Sequence, residues 1–233
     1  MDTLLQWLRG PVFWAALAFM ILGLARHVGM TLWGIGRAAR RAGDKSFPYK
    51  KVLTATVRWL FPIGQLGNRL LVSLTSLIFH VAIILVPIFL AGHIALWERG
   101  LGISWPALPN SVATALTIAA VATAIVLVAL RLASRDTRVL SRFQDYALPL
   151  LVALPFASGF LVMHPTWSPF SRDFALLLHV FSGNLLLVLI PLTKLNHMAL
   201  LPTTQLVSEL AWHFPPDAGS KVGIALEKVN EPI

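Results

Sequence analysis

No cysteine occurs anywhere in the 233 residues. That absence excludes thiolate-held iron–sulfur clusters, covalent attachment of a c-type haem through Cys-x-x-Cys-His, and any disulfide. Charge is scarce too: Asp, Glu, Lys and Arg make up 12% of the chain, about half the share of a soluble domain. A water-soluble globule is thereby excluded. Acidic groups are the scarcest, ten in all, and they fall outside the apolar stretches or at their ends. A proton pump built on a buried carboxylate relay is therefore disfavoured. There is no Walker motif, no Gly-x-Ser-x-Gly, no His-Glu-x-x-His, and none of the clustered histidines of a membrane di-iron oxygenase.

What the sequence has in abundance is apolar residues: 57% of the chain, with a mean hydropathy of +0.74. They fall into five stretches, Pro11 to Ile35, Leu70 to Trp97, Val112 to Ala133, Tyr146 to Met163 and Phe174 to His197. Each is long enough to cross ~30 Å of hydrocarbon at 1.5 Å per residue. The expected fold is an all-α, polytopic bundle of five transmembrane helices over residues 1–199, with a tail, 200–233, that docks a partner. The first stretch ends in Arg37, Arg40 and Arg41 instead of a small-residue cleavage site, so it reads as a span and not a signal peptide.

The formal charge of +9 sits in the loops. Arg37, Arg40, Arg41, Lys45, Lys50, Lys51, Arg58 and Arg69 separate spans one and two; Arg131, Arg135, Arg138 and Arg142 separate spans three and four. Arg9, Arg99 and Arg172 lie on the other side. The positive-inside rule then places the N-terminus outside and both basic loops and the C-terminal tail in the cytoplasm, with a bacterial or archaeal cytoplasmic membrane as the setting. The positive charge is a topology signal, and no nucleic-acid partner is expected. Trp97, Trp105 and Trp167 fall at the outer boundary and Trp33 and Trp59 near the inner one, as an aromatic belt requires. Phe47 to Pro62 mixes apolar and basic residues, which suits either a topology-setting linker or a short interfacial helix on which a partner docks.

Four histidines carry the functional signal: His80 and His93 in the second stretch, His179 and His197 in the fifth. Ionisable side chains are costly in hydrocarbon and normally face the bundle interior with a partner. Because the two spans run in opposite directions, His80 and His197 lie nearer the cytoplasm, and His93 and His179 nearer the outside. Two stacked bis-histidine sites are what two b-type haems need, since paired imidazoles hold iron six-coordinate. The 18 residues from His179 to His197 amount to five full turns at ~100° per residue, which puts both on one face, ~27 Å apart. The 13 residues from His80 to His93 rotate by ~220°, so a straight helix would face them differently. Pro87 lies between them and would kink the span. Small neighbours, Ala91 and Gly92, Ser182 and Gly183, would let a flat ring approach the backbone.

Phe79-His80-Val81 with Ala91-Gly92-His93 resembles the second span of the nitrate reductase gamma subunit. Leu178-His179-Val180-Phe181-Ser182-Gly183 with Ile190-Pro191-Leu192-Thr193-Lys194-Leu195-Asn196-His197 resembles its last span. The resemblance covers roughly residues 10 to 200. It extends to a family that includes subunits of heterodisulfide-reductase-like and sulfite-reduction-associated membrane complexes. It implies a dihaem cytochrome b that passes electrons between the quinone pool and a cytoplasmic iron–sulfur subunit, with inner haem iron on His80 and His197 and outer haem iron on His93 and His179. The interval between the first two ligands is longer here than in nitrate reductase. Ala113 stands where that subunit has a quinol-site lysine, so no quinone-site residue carries over. A quinone pocket, if present, is expected near His93, within reach of the loop Trp97 to Ala113 and of His164.

Arg26 is a candidate to neutralise a haem propionate, or to snorkel to the interface. His27 beside it is structural or, should His80 misface, the substitute ligand. His164 is solvated or lines a quinone pocket, and His213 sits in the tail. The alternative reading is a non-redox transporter or anchor whose histidines pack or bind a metal. Pro87, Pro149, Pro155 and Pro191 give it some support, but no repeat is visible.

Overall fold

The computed structural model describes residues 2–41, 70–201 and 218–225, with single positions 50, 53, 54, 57, 58, 203, 207 and 227. No strand occurs among them. Hydrocarbon offers the backbone no hydrogen-bond partner, so a spanning segment must satisfy itself as helix. Five helical segments are long and apolar enough to cross a membrane: Asp2–Arg40, Leu70–Phe89, Asn110–Ala133, Phe143–Met163 and Arg172–Leu192. The protein is a multi-pass, all-helical membrane protein.

The chain divides into two compact units, one of Met1–Phe19 with Gln65–Leu189, the other of Met20–Gly64 with Ile190–Ile233. The first holds a short amphipathic helix, α1 (Asp2–Arg9), and the start of α2 (Pro11–Arg41). It then holds α3 (Leu70–Phe89), α4 (Ala91–Leu101), α5 (Asn110–Ala133), α6 (Arg135–Leu140), α7 (Phe143–Met163) and most of α8 (Arg172–Leu192). α5 lies between α3 and α7. It can do so because Ala113, Ala120 and Ala124 are buried along it, and small side chains let membrane helices approach closely where no hydrophobic drive pulls them together. α3 answers with Thr75, Phe79, Ala82 and Val86, spaced as one helical face.

Polar residues inside the spans are tied to their own helix. Thr75, Thr117, Ser158 and Ser182 each donate to the carbonyl four residues back, at 2.7 to 2.8 Å. Asn184 of α8 caps the end of α1 by donating from Nδ2 to the Leu8 carbonyl at 2.9 Å. No buried side-chain nitrogen or oxygen among the described residues lacks a partner.

In the second unit, α2 meets the end of α8 at Gly23 and His27. Gly23 sits against the Pro191 ring so closely that a Cβ there would fall 2.5 Å from the Pro191 Cβ. Past α8, a 3₁₀ turn (Lys194–Asn196) begins at Thr193, whose Oγ1 accepts from the Leu195 N–H at 3.3 Å. The unit also contains α9 (Ala218–Ala225). Of the mixed segment Phe47 to Pro62, only Lys50, Leu53, Thr54, Val57 and Arg58 are described; all five are helical, and Thr54 bonds back to the Lys50 carbonyl at 2.8 Å.

Two expectations about the spans need correction. The second stretch is not one helix: it breaks at Leu90, which is extended (φ −74°, ψ 128°), so the ~220° counted from His80 to His93 does not apply. The fifth stretch stops at Leu192, where Pro191 occupies the last turn and Thr193 is extended (φ −126°, ψ −176°). His197 therefore follows a 3₁₀ turn instead of continuing the helix of His179, and the five-turn count fails for that pair.

Candidate functional site

The break at Leu90 leaves three backbone carbonyls of α3 without helical donors, and each finds another. The Pro87 carbonyl accepts from His93 Nδ1 at 3.1 Å, that of Ile88 from the Trp105 indole at 2.9 Å, and that of Phe89 from the Leu108 N–H at 2.9 Å. Helix ends always present such orphan acceptors; here they anchor both the His93 ring and the loop that follows α4. That loop starts at Gly102, whose left-handed backbone (φ 69°) closes α4 with a bond to the Glu98 carbonyl at 2.9 Å. Trp97 packs between Trp14 (centroids 5.8 Å) and Trp105 (6.2 Å), and Trp14 covers Gly100, where a side chain would collide with it.

His179 reaches the same place from α8. Its Nδ1 donates to the Pro155 carbonyl of α7 at 2.8 Å, and its ring lies over Gly159, whose missing Cβ would stand 3.0 Å from Cε1 and Nδ1. The rings of His93 and His179 are parallel to within 8°, with centroids 5.8 Å apart. This is the pair that the structure brings together. A carbonyl can only accept, so both rings carry their proton on Nδ1, and in the neutral form the ligating lone pair is on Nε2. An Nδ1–H held by a backbone carbonyl is the usual support of a metal-bound histidine.

The separation can be tested against a bridging metal. A metal between two imidazole nitrogens at ~2.0–2.1 Å each sets coaxial ring centroids about 6.3 Å apart. The observed 5.8 Å is shorter than that, and the two rings are stacked, within the ordinary range of an offset aromatic pair. Ligand count is the sharper test. Among the described residues no three His, Cys, Asp or Glu side chains gather as a metal site. Two imidazoles do not hold a bare zinc ion, which takes three or four protein ligands. Two do suffice for an iron whose other four nitrogens come from a macrocycle. Beside the pair, Gly92 and Gly183 face open space: a methyl group added at either would meet nothing within 4 Å.

The remaining candidates are placed individually. His80, on α3 in the first unit, is exposed and donates from Nδ1 to the Ser76 carbonyl at 2.7 Å. His197 is in the second unit, also exposed, and donates from Nδ1 to the Lys194 carbonyl at 2.7 Å. Both rings thus have the tautomer of His93 and His179. His27 is different: its Nε2 lies 2.8 Å from the Pro191 carbonyl and is the donor. Arg26 is exposed on α2. His164 ends α7 and lies against Phe160, ring centroids 4.5 Å apart. His213 lies outside the described residues.

Sequence reasoning missed the carbonyl acceptors. Pro87, Pro155 and Pro191 all stand inside helices, and each gives its own carbonyl to a histidine ring. The proline positions are visible in the sequence, but which ring reaches which carbonyl depends on tertiary placement. Gly159, four residues past Pro155, is the one sequence trace of the His179 contact.

Fold and site together define a polytopic helical membrane protein with a paired-histidine site near one end of its spans. No family model and no solved structure matches the chain. A protein of Nitratidesulfovibrio vulgaris is 32% identical over 203 residues, covering 83% of this chain and 86% of the relative. The chain belongs to the family of that protein, whose bare name, "Protein", states no activity, ligand or partner.

Proposed function

We propose that the protein is a dihaem cytochrome b subunit of a membrane complex, carrying electrons between the quinone pool, or a periplasmic donor, and a cytoplasmic iron–sulfur subunit. The observation that carries this reading is the parallel His93–His179 pair, 5.8 Å between centroids, with both Nδ1 atoms held by proline carbonyls. His93 and His179 would hold the outer haem through Nε2. Bound there, a haem supplies a reversible one-electron carrier. Held by both His93 and His179, such a haem would serve electron transfer and not oxygen or substrate binding. The proline carbonyls fix each ring's rotation and raise its basicity as a ligand.

For the inner haem, His80 and His197 are the ligands that the resemblance to the nitrate reductase gamma subunit implies, and their shared Nδ1–H tautomer supports it. Arg26 would neutralise a propionate. With no cysteine in the chain, iron–sulfur clusters must come from the partner. The partner would dock at the basic loops and the tail, on the cytoplasmic side of a bacterial or archaeal inner membrane, with the N-terminus outside. A quinone would bind beside the loop that Trp105 and Leu108 pin to the end of α3. Ala113 is 3% exposed, packed into α5's small-residue face, and so contributes shape there and no charge.

The transporter reading gains one observation, the break at Leu90, since broken spans carry ion sites in transporters. Yet the three carbonyls freed at the break are taken by His93, Trp105 and Leu108 and are not offered to an ion. The deciding measurement is a pyridine haemochrome assay on the purified full chain. Two haems per chain support the cytochrome reading; a colourless, folded protein ends it.

A further inference from the structure

Among the described residues, the three most exposed large apolar side chains are not on the spans or stand only at the first residue of one. They are Val139 (79%), Leu140 (82%) and Phe143 (83%), in and just after the connection between α5 and α7. Loops that stand in water usually turn polar groups outward. This one bonds Thr137 and Ser141 back onto its own backbone while Val139, Leu140 and Phe143 stand out. Thr137 Oγ1 donates to the carbonyls of Arg131 and Ser134, both at 3.0 Å, and Ser141 Oγ to that of Thr137 at 2.5 Å. Arg131 reaches Ser141 Oγ at 2.9 Å and Arg138 the Leu132 carbonyl at 2.7 Å, while the Arg142 N–H is capped by Asp145 Oδ2 at 2.8 Å. The connection is a built piece that holds three apolar side chains out.

Arginines surround them. Arg131, Arg135, Arg138 and Arg142 outnumber the two acids of the stretch, Asp136 and Asp145. Arg135 is exposed. Only residues 134–142 separate the two spans, too few to carry α6 far from the membrane surface at ~3.3–3.6 Å per extended residue. Phe143 is itself the first residue of a spanning helix.

We infer that this connection is an interfacial anchor for anionic phospholipid. Val139, Leu140 and Phe143 insert at the boundary of headgroup and acyl chain, and Arg135 and its neighbours hold headgroup phosphates. Apolar groups beside guanidinium groups at a bilayer surface combine area burial with attraction to anionic lipid, the mode of interfacial helices. The occupant is the bilayer, because the patch is continuous with the lipid-facing surface of α7 and its charge complements anionic headgroups. This inference does not depend on haem, and it leaves the proposed partner the other basic loop and the tail.

Because the chain has no cysteine, Leu140→Cys and Phe143→Cys are unique labelling sites. Each full-length variant is spin-labelled and placed in vesicles of phosphatidylcholine, with or without phosphatidylglycerol. Collision with a neutral nickel chelate is compared with that of labels at Ile125→Cys on α5 and Glu227→Cys in the tail. The expected result is shielding at 140 and 143 like that at 125, several-fold below the collision rate at 227. Shielding should be strongest with phosphatidylglycerol, and adding Arg135→Gln should remove the lipid dependence. Nickel access at both sites equal to that at 227 would overturn the anchor and leave a protein-docking surface. Shielding that ignores phosphatidylglycerol would overturn the anionic-lipid assignment.

Discussion

His27 donates from Nε2 to the carbonyl oxygen of Pro191 at 2.8 Å, the opposite ring nitrogen from the one by which His93 and His179 are held. The bond joins α2 to the end of α8 in the second unit, where Gly23 also lies against the Pro191 ring. His27 is in this position a joint, with its nitrogen spent on the backbone. His27→Ala should therefore leave the haem count per chain unchanged while lowering thermal stability. Stranding a buried carbonyl costs about 1–3 kcal/mol. A pyridine haemochrome ratio that falls by one haem in His27→Ala would restore His27 as a ligand.

His93 and His179 act as a unit if they share one iron, and residues that act as a unit are not additive. Replacing either with Ala should remove the same haem, seen as loss of the same midpoint potential in a redox titration. The double variant should look like either single one. Loss of different potentials from the two single variants would break the pair.

Gly159 gives a finer probe of the same site. A methyl at that position would stand 3.0 Å from the His179 ring, so Gly159→Ala should press the ring by a few tenths of an ångström, within what a hydrogen-bonded imidazole can absorb. The expected outcome is a retained haem with a shifted potential and altered low-temperature EPR spectrum. Gly159→Val, which adds two further methyl groups beside the ring, should displace His179 and cost the haem. Wild-type spectra in both variants would mean that the His179 ring does not lie over Gly159.

Much of this is legible in the sequence because membranes simplify the problem. Span number and approximate limits follow from apolar length, since only helix satisfies the backbone there. The four histidines are singled out by the cost of polar groups in hydrocarbon, and the structure brings two of them, His93 and His179, together. Their facing is not legible, and the errors share one cause. Counting ~100° per residue presumes an unbroken helix, yet Leu90 interrupts one stretch and Thr193 ends the other. The pair whose count looks unfavourable contains a break that turns His93 toward His179. The pair whose count looks ideal is not on one helix. Proline marks both places, Pro87 and Pro191, but the break falls where outside donors can take the freed carbonyls, and those donors, His93, Trp105 and Leu108, come from beyond the helix that breaks.

That competition for carbonyls yields the last prediction. If α3 continued through Leu90, the N–H groups of residues 91, 92 and 93 would take the carbonyls of Pro87, Ile88 and Phe89 as ordinary i→i−4 bonds. Pro87 stands inside α3, so its cost to a helix is the same whether or not the helix runs on past Leu90. The break survives because the His93 ring, the Trp105 indole and the Leu108 N–H hold those same three oxygens, each bond contributing about 0.5–1.5 kcal/mol net. No one of the three should be decisive alone. Trp105→Phe and Leu108→Pro, each of which removes one donor, should when made singly keep the haem of His93 and His179 with a lowered melting temperature. Made together, they should let the helix run on, turn His93 away from His179 and cost that haem, with the other one intact. Haem content and redox titration of the three variants check this, and a double variant that equals the sum of the single ones would show that Leu90 is held extended by something other than this shared set of carbonyls.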